Sequence, residues 1–580
     1  MIRTWIASAL IAVCAGCAST PEPQSPLQQL MDDTWQQQLN ASPQMAARFG
    51  DDSARSQLAD YSPQTLAQHQ QVNLALLERA KAIDVDSLSA DDQVNLAIVT
   101  GILENRTDSY RFKTHYMPLN AEGGFHNYIS SISQVTLSNQ RDVDAYLSRL
   151  SQLPRLFDQQ IHWMRQGLAE GYTQPQVVLE GFEQSISAYL PEDATQSSYY
   201  KPFTKLGGEF SDQQIAQIQA QGLSAVQQQV LPAYLKFFDF FVNEYRPNAT
   251  TQVGAQYLPE GMAFYNNRVS HFVTLPMTAD EVHQLGQQEV KRIRAEMEQI
   301  ITDLEFEGSF ADFLHFLRTD PQFYANTPEE LLKAAAWLAK QADAMLPKFF
   351  DTLPRTPYGV MAVPAEIAPK YTTGRYSGPS GEHQPGYYWV NTYALDKRPL
   401  YALPALTLHE AVPGHHLQIA LTQELGEVHP LRRYHYISAF GEGWGLYSEK
   451  LGVEGGYYKD AYANFGRLSY EMWRACRLVV DTGLHAKGWS RQQAIDFMAS
   501  NTALSLHNVN TEIDRYISWP GQALSYKMGE LTILRLRSEA EQQLGDKFDI
   551  RGFHSAILKN GSVPLAQLER QVRQWIASQA

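Results

Sequence analysis

Apolar residues recur at spacings of three and four along most of this chain. The pattern is plainest in PLQQLMDDTWQQQL, QVNLALLERAKAI, VDAYLSRLSQLPRLFDQQIHWMRQGL and QQIAQIQAQGLSAVQQQVLPAYLKFFDFFVNEY, and a second series begins with TADEVHQLGQQEVKRIRAEMEQIITDL. This spacing places apolar side chains on one face of an α-helix. The chain shows neither the fixed-period repeat of a solenoid nor the strand–helix alternation of a nucleotide-binding fold. The sequence therefore predicts a mainly α, multi-helical protein.

The stretch from Pro354 to Thr392 departs from this pattern. It is rich in Gly, Pro, Tyr and Val, and its segments YGVMAVPAEI and GYYWVNTY have the composition of strands. We expect a small β-sheet here, directly before the motif HEAVPGHH. GYYWVN could be an edge strand that pairs with an extended peptide.

The N-terminus resembles a bacterial secretory signal. MIRTWIASALIAVCAGC has a basic start, an apolar run too short for a permanent membrane span, and small residues at its end. CAGC resembles the cleavage box of lipoproteins, with Cys17 as the lipidated residue, and Ala18 after it favours the outer membrane. Ordinary signal cleavage near AST is the alternative. We predict an exported outer-membrane lipoprotein that faces the periplasm and contacts the membrane only through lipid on Cys17. The net charge of −15 argues against nucleic acid as a partner.

The motif HEAVPGHH, from His409 to His416, is the strongest functional signal. In a His-Glu-x-x-His zinc helix the second histidine comes four residues after the first, but Pro413 stands there. Pro413 must bulge or break the helix, and Gly414 tolerates the dihedral angles needed to rejoin it. In a straight helix neither His415 nor His416 could share an ion with His409, whereas a looped-out Pro-Gly segment removes that obstacle. The alternative is a kinked structural helix with surface histidines.

The segment FGEGWGLYSEKL supplies a third candidate ligand. Glu442 and Glu449 are seven residues apart, so both point from one helical face. A catalytic zinc site needs three protein ligands and an open position for water, which two histidines and a glutamate would provide. A solvated acidic face is the alternative, but Phe440, Trp444 and Tyr447 make this a poor solvent helix.

The order His-Glu, His and then Glu-x6-Glu resembles the gluzincin metallopeptidases, including thimet oligopeptidase and carboxypeptidase Taq. The Pro-Gly-His form is more similar to the bacterial domain-of-unknown-function family eight hundred and eighty-five, which VNTY, HEAVPGHHLQ, EGWGLYSE, RLVVDTGLHAKGWS and PGQALSYKMG also fit. The resemblance covers most of the mature chain. It implies a gluzincin-like fold and a zinc ion held by His409, His415 and Glu442, with Glu410 as general base. His415 is preferred to His416 because the family motif has a histidine directly after Pro-Gly.

Further candidates lie around this motif. Tyr526, in PGQALSYKMG, could donate to the oxyanion, since YxxG resembles a carboxypeptidase Taq motif, and core packing is the alternative for it. His507 is a second candidate for that role. We expect His416 and Glu449 to contact the ligands or the cleft.

A helical stripe in RACRLVVDTGLH carries Arg477, Asp481 and His485 at spacings of four. It could orient the zinc ligands from behind, or it could form salt bridges within one helix. Possible anchors for a substrate carboxylate are Arg375, Arg515 and Lys527.

These features predict a signal peptide (1–16), a lipoprotein tether (17–27), an N-terminal helical region (28–270) and a catalytic region (271–580). We expect an exported zinc metallopeptidase that hydrolyses short peptides through a metal-activated water. Two alternatives remain open. One is a non-catalytic metal-binding envelope lipoprotein, although structural zinc normally uses more cysteine than the 3 in this chain. The other is a zinc hydrolase of non-peptide amides or esters.

Overall fold

The computed structural model describes residues 24–365, 367–379 and 384–579. The predicted signal peptide (1–16) and Cys17 lie outside these ranges. Within them the chain is mainly α-helical with a small sheet, as the sequence predicts. No helix in the described ranges is long and apolar enough to cross a membrane.

The helices of the first half are α1 (Pro26–Ala41), α2 (Pro43–Arg48), α3 (Pro63–Lys81), α4 (Ala90–Arg111), α5 (Phe125–Ile129), α6 (Gln140–Glu170), α7 (Glu183–Ser187), α8 (Lys201–Thr204), α9 (Asp212–Ala225), α10 (Leu231–Phe240), α11 (Arg246–Asn248) and α12 (Gly261–Val273). The helices of the second half are α13 (Ala279–Asp303), α14 (Phe310–Thr319), α15 (Pro328–Phe349), α16 (Leu403–Glu410), α17 (His415–Gln423), α18 (Pro430–Tyr434), α19 (Ser438–Glu454), α20 (Ala461–Ala486), α21 (Arg491–Asn501), α22 (Leu506–Ser518), α23 (Ser525–Leu544), α24 (Ile550–Leu558) and α25 (Leu565–Gln579).

Capping and amphipathic burial explain why such helices form where they do. In α15 the Thr327 hydroxyl accepts a hydrogen bond from the backbone N–H of Glu330 at 3.1 Å, which satisfies a donor at the helix start. The same helix buries Leu331, Ala335 and Ala339, spaced by four residues along one face. Local sequence thus fixes the start of this helix and the face that it packs.

The hydrophobic core does not divide at residue 270. The two largest buried clusters each contain residues from both sides of that position. α4 packs against α18 and α25, which lie on the other side of that position. The regions 28–270 and 271–580 therefore share cores rather than forming separate ones.

Two glycines let α19 and α23 approach closely. A Cβ added to Gly443 would lie 2.4 Å from the Cα atom of Gly529, so neither position has room for a side chain. This crossing brings Tyr526, at the start of α23, beside the helices that carry the candidate ligands. The YxxG pattern therefore has a packing role in this chain.

The strands are β1 (Leu119–Asn120), β2 (Gly123–Gly124), β3 (Tyr358–Ala362), β4 (Gly374–Ser377) and β5 (Gly386–Val390). β1 and β2 form an antiparallel pair, and the other three form a sheet with the order β3-β5-β4. β5 is parallel to β3 and antiparallel to β4. The prediction that GYYWVN is an edge strand is wrong, because β5 is the central strand and buries Tyr388 and Val390. β4 forms the edge nearer the candidate site.

Candidate metal centre

The helix that carries His409 breaks where the sequence predicts. α16 ends at Glu410 and α17 begins at His415, so the prediction of a break at Pro413 and Gly414 is confirmed. A Cβ added to Gly414 would lie 1.9 Å from the carbonyl oxygen of His409. Only glycine fits this turn, because a side chain would collide with the end of the preceding helix.

Helix α19 holds both the break and the His409 ring. The indole N–H of Trp444 donates a hydrogen bond of 2.7 Å to the carbonyl oxygen of Pro413. The next residue, Gly445, lies against the imidazole, where an added Cβ would be 2.7 Å from the nearest ring atom of His409. The Gly-Trp-Gly sequence therefore gives the imidazole the space it occupies and anchors the turn beside it.

Three candidate ligands meet at this break. Donor atoms of His409, His415 and Glu442 all lie within 4.8 Å of one another. A carboxylate oxygen of Glu442, Oε2, is 3.5 Å from Nε2 of His409 and 3.4 Å from Nε2 of His415. In a tetrahedral zinc site with bonds of about 2.0–2.1 Å, neighbouring donor atoms are about 3.3 Å apart. The donor types and their spacing thus fit a zinc ion.

The charges of this cluster also suit a cation. Burial alone would lower the pKa of His409, but hydrogen bonds to Glu442 and Glu449 and the charge of Glu410 raise it to about 10. Burial raises the pKa of Glu442, yet His415 and His409 hold it well below its usual range. Carboxylates thus surround the two buried histidines.

His416 lies apart from the three candidate ligands. Its Nδ1 atom is hydrogen-bonded to the hydroxyl of Tyr376 at 2.9 Å, and its ring packs 4.6 Å from the ring of Tyr358. Burial lowers the pKa of His416 to about 4, so the ring is neutral at pH 7. The choice of His415 over His416 as ligand stays a prediction, and this geometry supports it.

Glu449 holds His409 from behind. The Nδ1–H group of His409 donates a hydrogen bond of 2.8 Å to Oε1 of Glu449, which leaves Nε2 facing the other ligands. A carboxylate in this position fixes the tautomer of a metal-binding histidine and increases its basicity. The corresponding Nδ1 atom of His415 is buried and has no hydrogen-bond partner within the described ranges.

Glu449→Gln should lower zinc affinity by about 10- to 100-fold, because the amide is a weaker acceptor for His409. Competition with a chromogenic chelator would measure the change. Glu454→Gln is a matched control on the same helix, since Glu454 is exposed and pairs with Arg537. Equal zinc affinity of the Glu449 variant and the wild type would show that Glu449 does not support metal binding through His409.

Glu410 is fixed beside the candidate ligands by the sheet. The backbone N–H of Tyr376 in β4 donates a hydrogen bond of 2.7 Å to Oε2 of Glu410. The carboxylate is buried and lines the same cavity as His409 and His415. One carboxylate oxygen is thus held, and the other is free to act on a molecule in the cavity.

This cavity has a volume of about 570 Å³. Ligand sites for small molecules typically have volumes of about 300–1,000 Å³. Tyr526 lines it, with its ring nearly parallel to that of His409 at a centroid distance of 6.4 Å. The hydroxyl of Tyr436, which the sequence analysis missed, donates a hydrogen bond of 3.3 Å to Oε1 of Glu442. Its position six residues before Glu442 is the one signal that marks it in the sequence.

Asp481 and His485 bind other parts of the fold. Asp481 accepts a hydrogen bond of 2.7 Å from the hydroxyl of Tyr265. His485 accepts one from the backbone N–H of Ala255 and donates one to the carbonyl oxygen of Tyr516, each at 3.0 Å. The expected contact of this stripe with the zinc ligands is therefore not found for Asp481 or His485, which instead tie α20 to neighbouring elements. Burial raises the pKa of Asp481 to about 7.

Two other predicted site residues also lie elsewhere. Lys527 is fully buried and pairs with Glu471 at 2.8 Å and Glu530 at 2.6 Å, so it is not a substrate anchor. His507 is exposed at the start of α22 and lines a different cavity beside Arg398. In contrast, the predicted anchors Arg375 and Arg515 do line the cavity of the candidate metal centre.

The fold and the site define a mainly helical protein with a candidate metal centre of two histidines and one glutamate. The chain belongs to the family described as "Bacterial protein of unknown function (DUF885)", whose sequence profile matches residues 43–572. No curated protein matches it.

Two solved structures share the fold. One is a predicted lipoprotein from Colwellia psychrerythraea, with 29% identity, a TM-score of 0.87, and coverage of 96% of this chain and 100% of that chain. The other is a predicted lipoprotein of unknown function from Shewanella oneidensis, with 18% identity, a TM-score of 0.72, and coverage of 94% of this chain and 99% of that chain. The second likeness concerns the fold alone.

Proposed function

We propose that this chain is an exported zinc-dependent peptidase of gluzincin type that acts on short peptides. The observation that carries the proposal is the convergence of His409, His415 and Glu442 within 4.8 Å. Glu410 lies beside them in the same cavity. Structural zinc sites are closed by four protein ligands, whereas three ligands leave a position open for water or substrate.

A bound zinc ion would lower the pKa of water and polarise the scissile carbonyl. The chain's own residues would do the rest. Glu410, with Oε2 held by the N–H of Tyr376, accepts a proton from the attacking water on its other oxygen and delivers it to the leaving amine. Tyr526 lines the cavity and donates its hydroxyl proton in a hydrogen bond to the developing oxyanion.

The edge of β4 would bind the substrate backbone. The carbonyl oxygen of Thr373 accepts a hydrogen bond from the N–H of Asn391, so it points toward β5. Backbone groups alternate along a strand, which turns those of Gly374 and Tyr376 toward the free edge. The N–H of Tyr376 is bound to Glu410, so the N–H and carbonyl groups of Gly374 and the carbonyl group of Tyr376 remain for a substrate. An extended peptide could pair with this edge, the role first expected of GYYWVN.

The lipid anchor is the second part of the proposal. It is supported by the CAGC box at the N-terminus and by the likeness to the Colwellia protein, which is described as a predicted lipoprotein. We propose that lipid on Cys17 holds the enzyme at the periplasmic face of the outer membrane.

Cys17→Ser should release the protein from membranes without changing peptidase activity, because a tether separates the lipid from the folded body. Fractionation of cells and N-terminal mass spectrometry would measure the change. A wild-type protein that is already soluble and starts at a residue other than 17 would contradict the anchor.

Digestion of a peptide library by the purified protein tests the proposed activity. Products are identified by mass spectrometry, with and without a chelator, and zinc content is measured in parallel. We expect cleavage that the chelator abolishes and added zinc restores. Bound zinc without cleavage of peptides, simple amides or esters would favour a non-catalytic metal-binding protein, and cleavage of esters or non-peptide amides alone would favour the other hydrolase.

A further inference from the structure

We propose that Arg474, Arg477 and Arg515 form a binding site for the C-terminal carboxylate of the substrate. The enzyme would then cut peptides within about three residues of a free C-terminus. The inference rests on the proposed peptidase function and adds the substrate class to it.

The three arginines form one wall of the cavity that contains the candidate metal centre. The exposed fractions of their side chains are 5% for Arg474, 2% for Arg477 and 12% for Arg515. Arginine is almost never fully buried unless it is paired, because its guanidinium group stays charged at any pH a protein meets. Three such groups together therefore need partners.

Each of the three guanidinium groups has a nitrogen that is left without a partner. Nε of Arg474, Nη1 of Arg477 and Nε of Arg515 are buried and have no hydrogen-bond partner within the described ranges. The nearest acid to the last of these is Glu122, whose Oε1 atom is 3.6 Å away and beyond hydrogen-bond distance. Buried donors without acceptors destabilise a protein, so the fold alone leaves all three guanidinium groups incompletely satisfied.

The carboxylates that pair with these arginines are shared or distant. One carboxylate, Glu512, forms ion pairs with two of the arginines. Its Oε2 atom lies 3.0 Å from Nη2 of Arg477 and 3.4 Å from Nη1 of Arg515. Arg474 lies 3.6 Å from Glu449, whose Oε1 atom already accepts the hydrogen bond from His409. The third carboxylate, Glu122, lies 3.6 Å from Nε of Arg515, so the three arginines share three carboxylates, one of which is also bound to His409. The planar fork of arginine matches the two oxygens of a carboxylate, so a carboxylate is the ligand that suits these incompletely paired guanidinium groups.

The distance to the metal centre limits which carboxylate could bind. The guanidinium carbon of Arg477 lies 4.2 Å from the centre of the Tyr526 ring, which is 6.4 Å from that of His409. Arg477 is therefore at most about 11 Å from the His409 ring, or about three residues of extended chain at 3.3–3.6 Å per residue. Every unmodified peptide has a carboxylate at its end, so the C-terminal group is the one that a short peptide always supplies.

Three matched peptides test the inference on the zinc-loaded protein. One has a free C-terminus, the second has a C-terminal amide, and the third is amidated but carries an acidic last residue. We expect kcat/KM for the free acid to exceed that for the plain amide by about 10- to 100-fold, the range of a charge-assisted contact. Cleavage should fall within three residues of the C-terminus.

Arg477→Gln should remove most of this preference, while Arg535→Gln, the same change at an exposed arginine on α23, should leave it intact. If the first variant does not fold, Arg515→Gln gives the same test. Binding of the free-acid and amidated peptides to Glu410→Gln, measured by calorimetry, reports on the carboxylate site without any turnover.

The outcomes separate the two proposals. Equal cleavage of the free acid and the amide would overturn the carboxylate site and leave the peptidase intact. Tighter binding of the free acid without cleavage by the wild type would support the site and overturn the peptidase. Equal performance of the third peptide and the free acid would assign the arginines to an acidic side chain and overturn the C-terminal assignment.

Discussion

Glu410→Gln should remove most peptidase activity while zinc stays bound. The glutamine amide oxygen can still accept the hydrogen bond from the Tyr376 N–H that now reaches Oε2 of Glu410, so the helix and the sheet keep their contact. The amide cannot take a proton from water, and general-base catalysis contributes about 10²- to 10⁴-fold to rates. We expect kcat/KM to fall by that factor, with zinc content measured by elemental analysis near that of the wild type.

Glu427→Gln is a suitable control, because Glu427 is exposed beyond the end of α17. It should change neither activity nor zinc content. Loss of zinc from Glu410→Gln would instead make Glu410 a ligand, and retention of full activity would show that the proton is transferred elsewhere.

The helices could be predicted because each depends on its own sequence. In α15 the capping residue Thr327 and the buried apolar residues belong to one continuous segment of sequence. The break after α16 is equally local, since Pro413 and Gly414 stand between the two helices. The sequence therefore identifies features that depend only on residues a few positions apart in the chain.

The order of strands could not be predicted in this way. β3 and β5 pair in parallel, although β4 lies between them in the sequence. Such a pairing depends on which surfaces pack in three dimensions, and strand composition does not contain it. Because composition alone does not give the strand order, the sequence suggests GYYWVN as the edge strand, whereas β4 forms the edge beside the cavity.

The same limit explains the errors around the candidate site. Asp481 binds Tyr265, 216 residues earlier in the chain, and Lys527 binds Glu471, 56 residues earlier. Helical spacing places Asp481 on a face of α20, but it does not say which element covers that face. In the same way, the hydrogen bond from Tyr376 to Glu410 joins a strand to a helix, and no spacing rule predicts it.

His415→Ala should lose zinc and activity together, whereas His416→Ala should keep zinc. Nε2 of His415 is 3.4 Å from Oε2 of Glu442, in the group of three donor atoms, while His416 is hydrogen-bonded to the hydroxyl of Tyr376. Loss of a direct ligand should weaken zinc binding by more than the 10- to 100-fold typical of an outer contact, so we expect a change above about 100-fold. Chelator competition on the two purified variants measures this difference.

The His416 variant should still lose part of its activity, because His416 acts on Glu410 through Tyr376 in strand β4. Tyr376 uses its hydroxyl to bind His416 and its backbone N–H to hold Glu410. Without the imidazole, the buried hydroxyl lacks a partner, and β4 fixes Glu410 less firmly. A fall in kcat at unchanged zinc affinity would show this coupling, and a Tyr376→Phe variant should reproduce it. Zinc retained by His415→Ala and lost by His416→Ala would reverse the ligand assignment, because the turn at Pro413 would then present the second imidazole rather than the first.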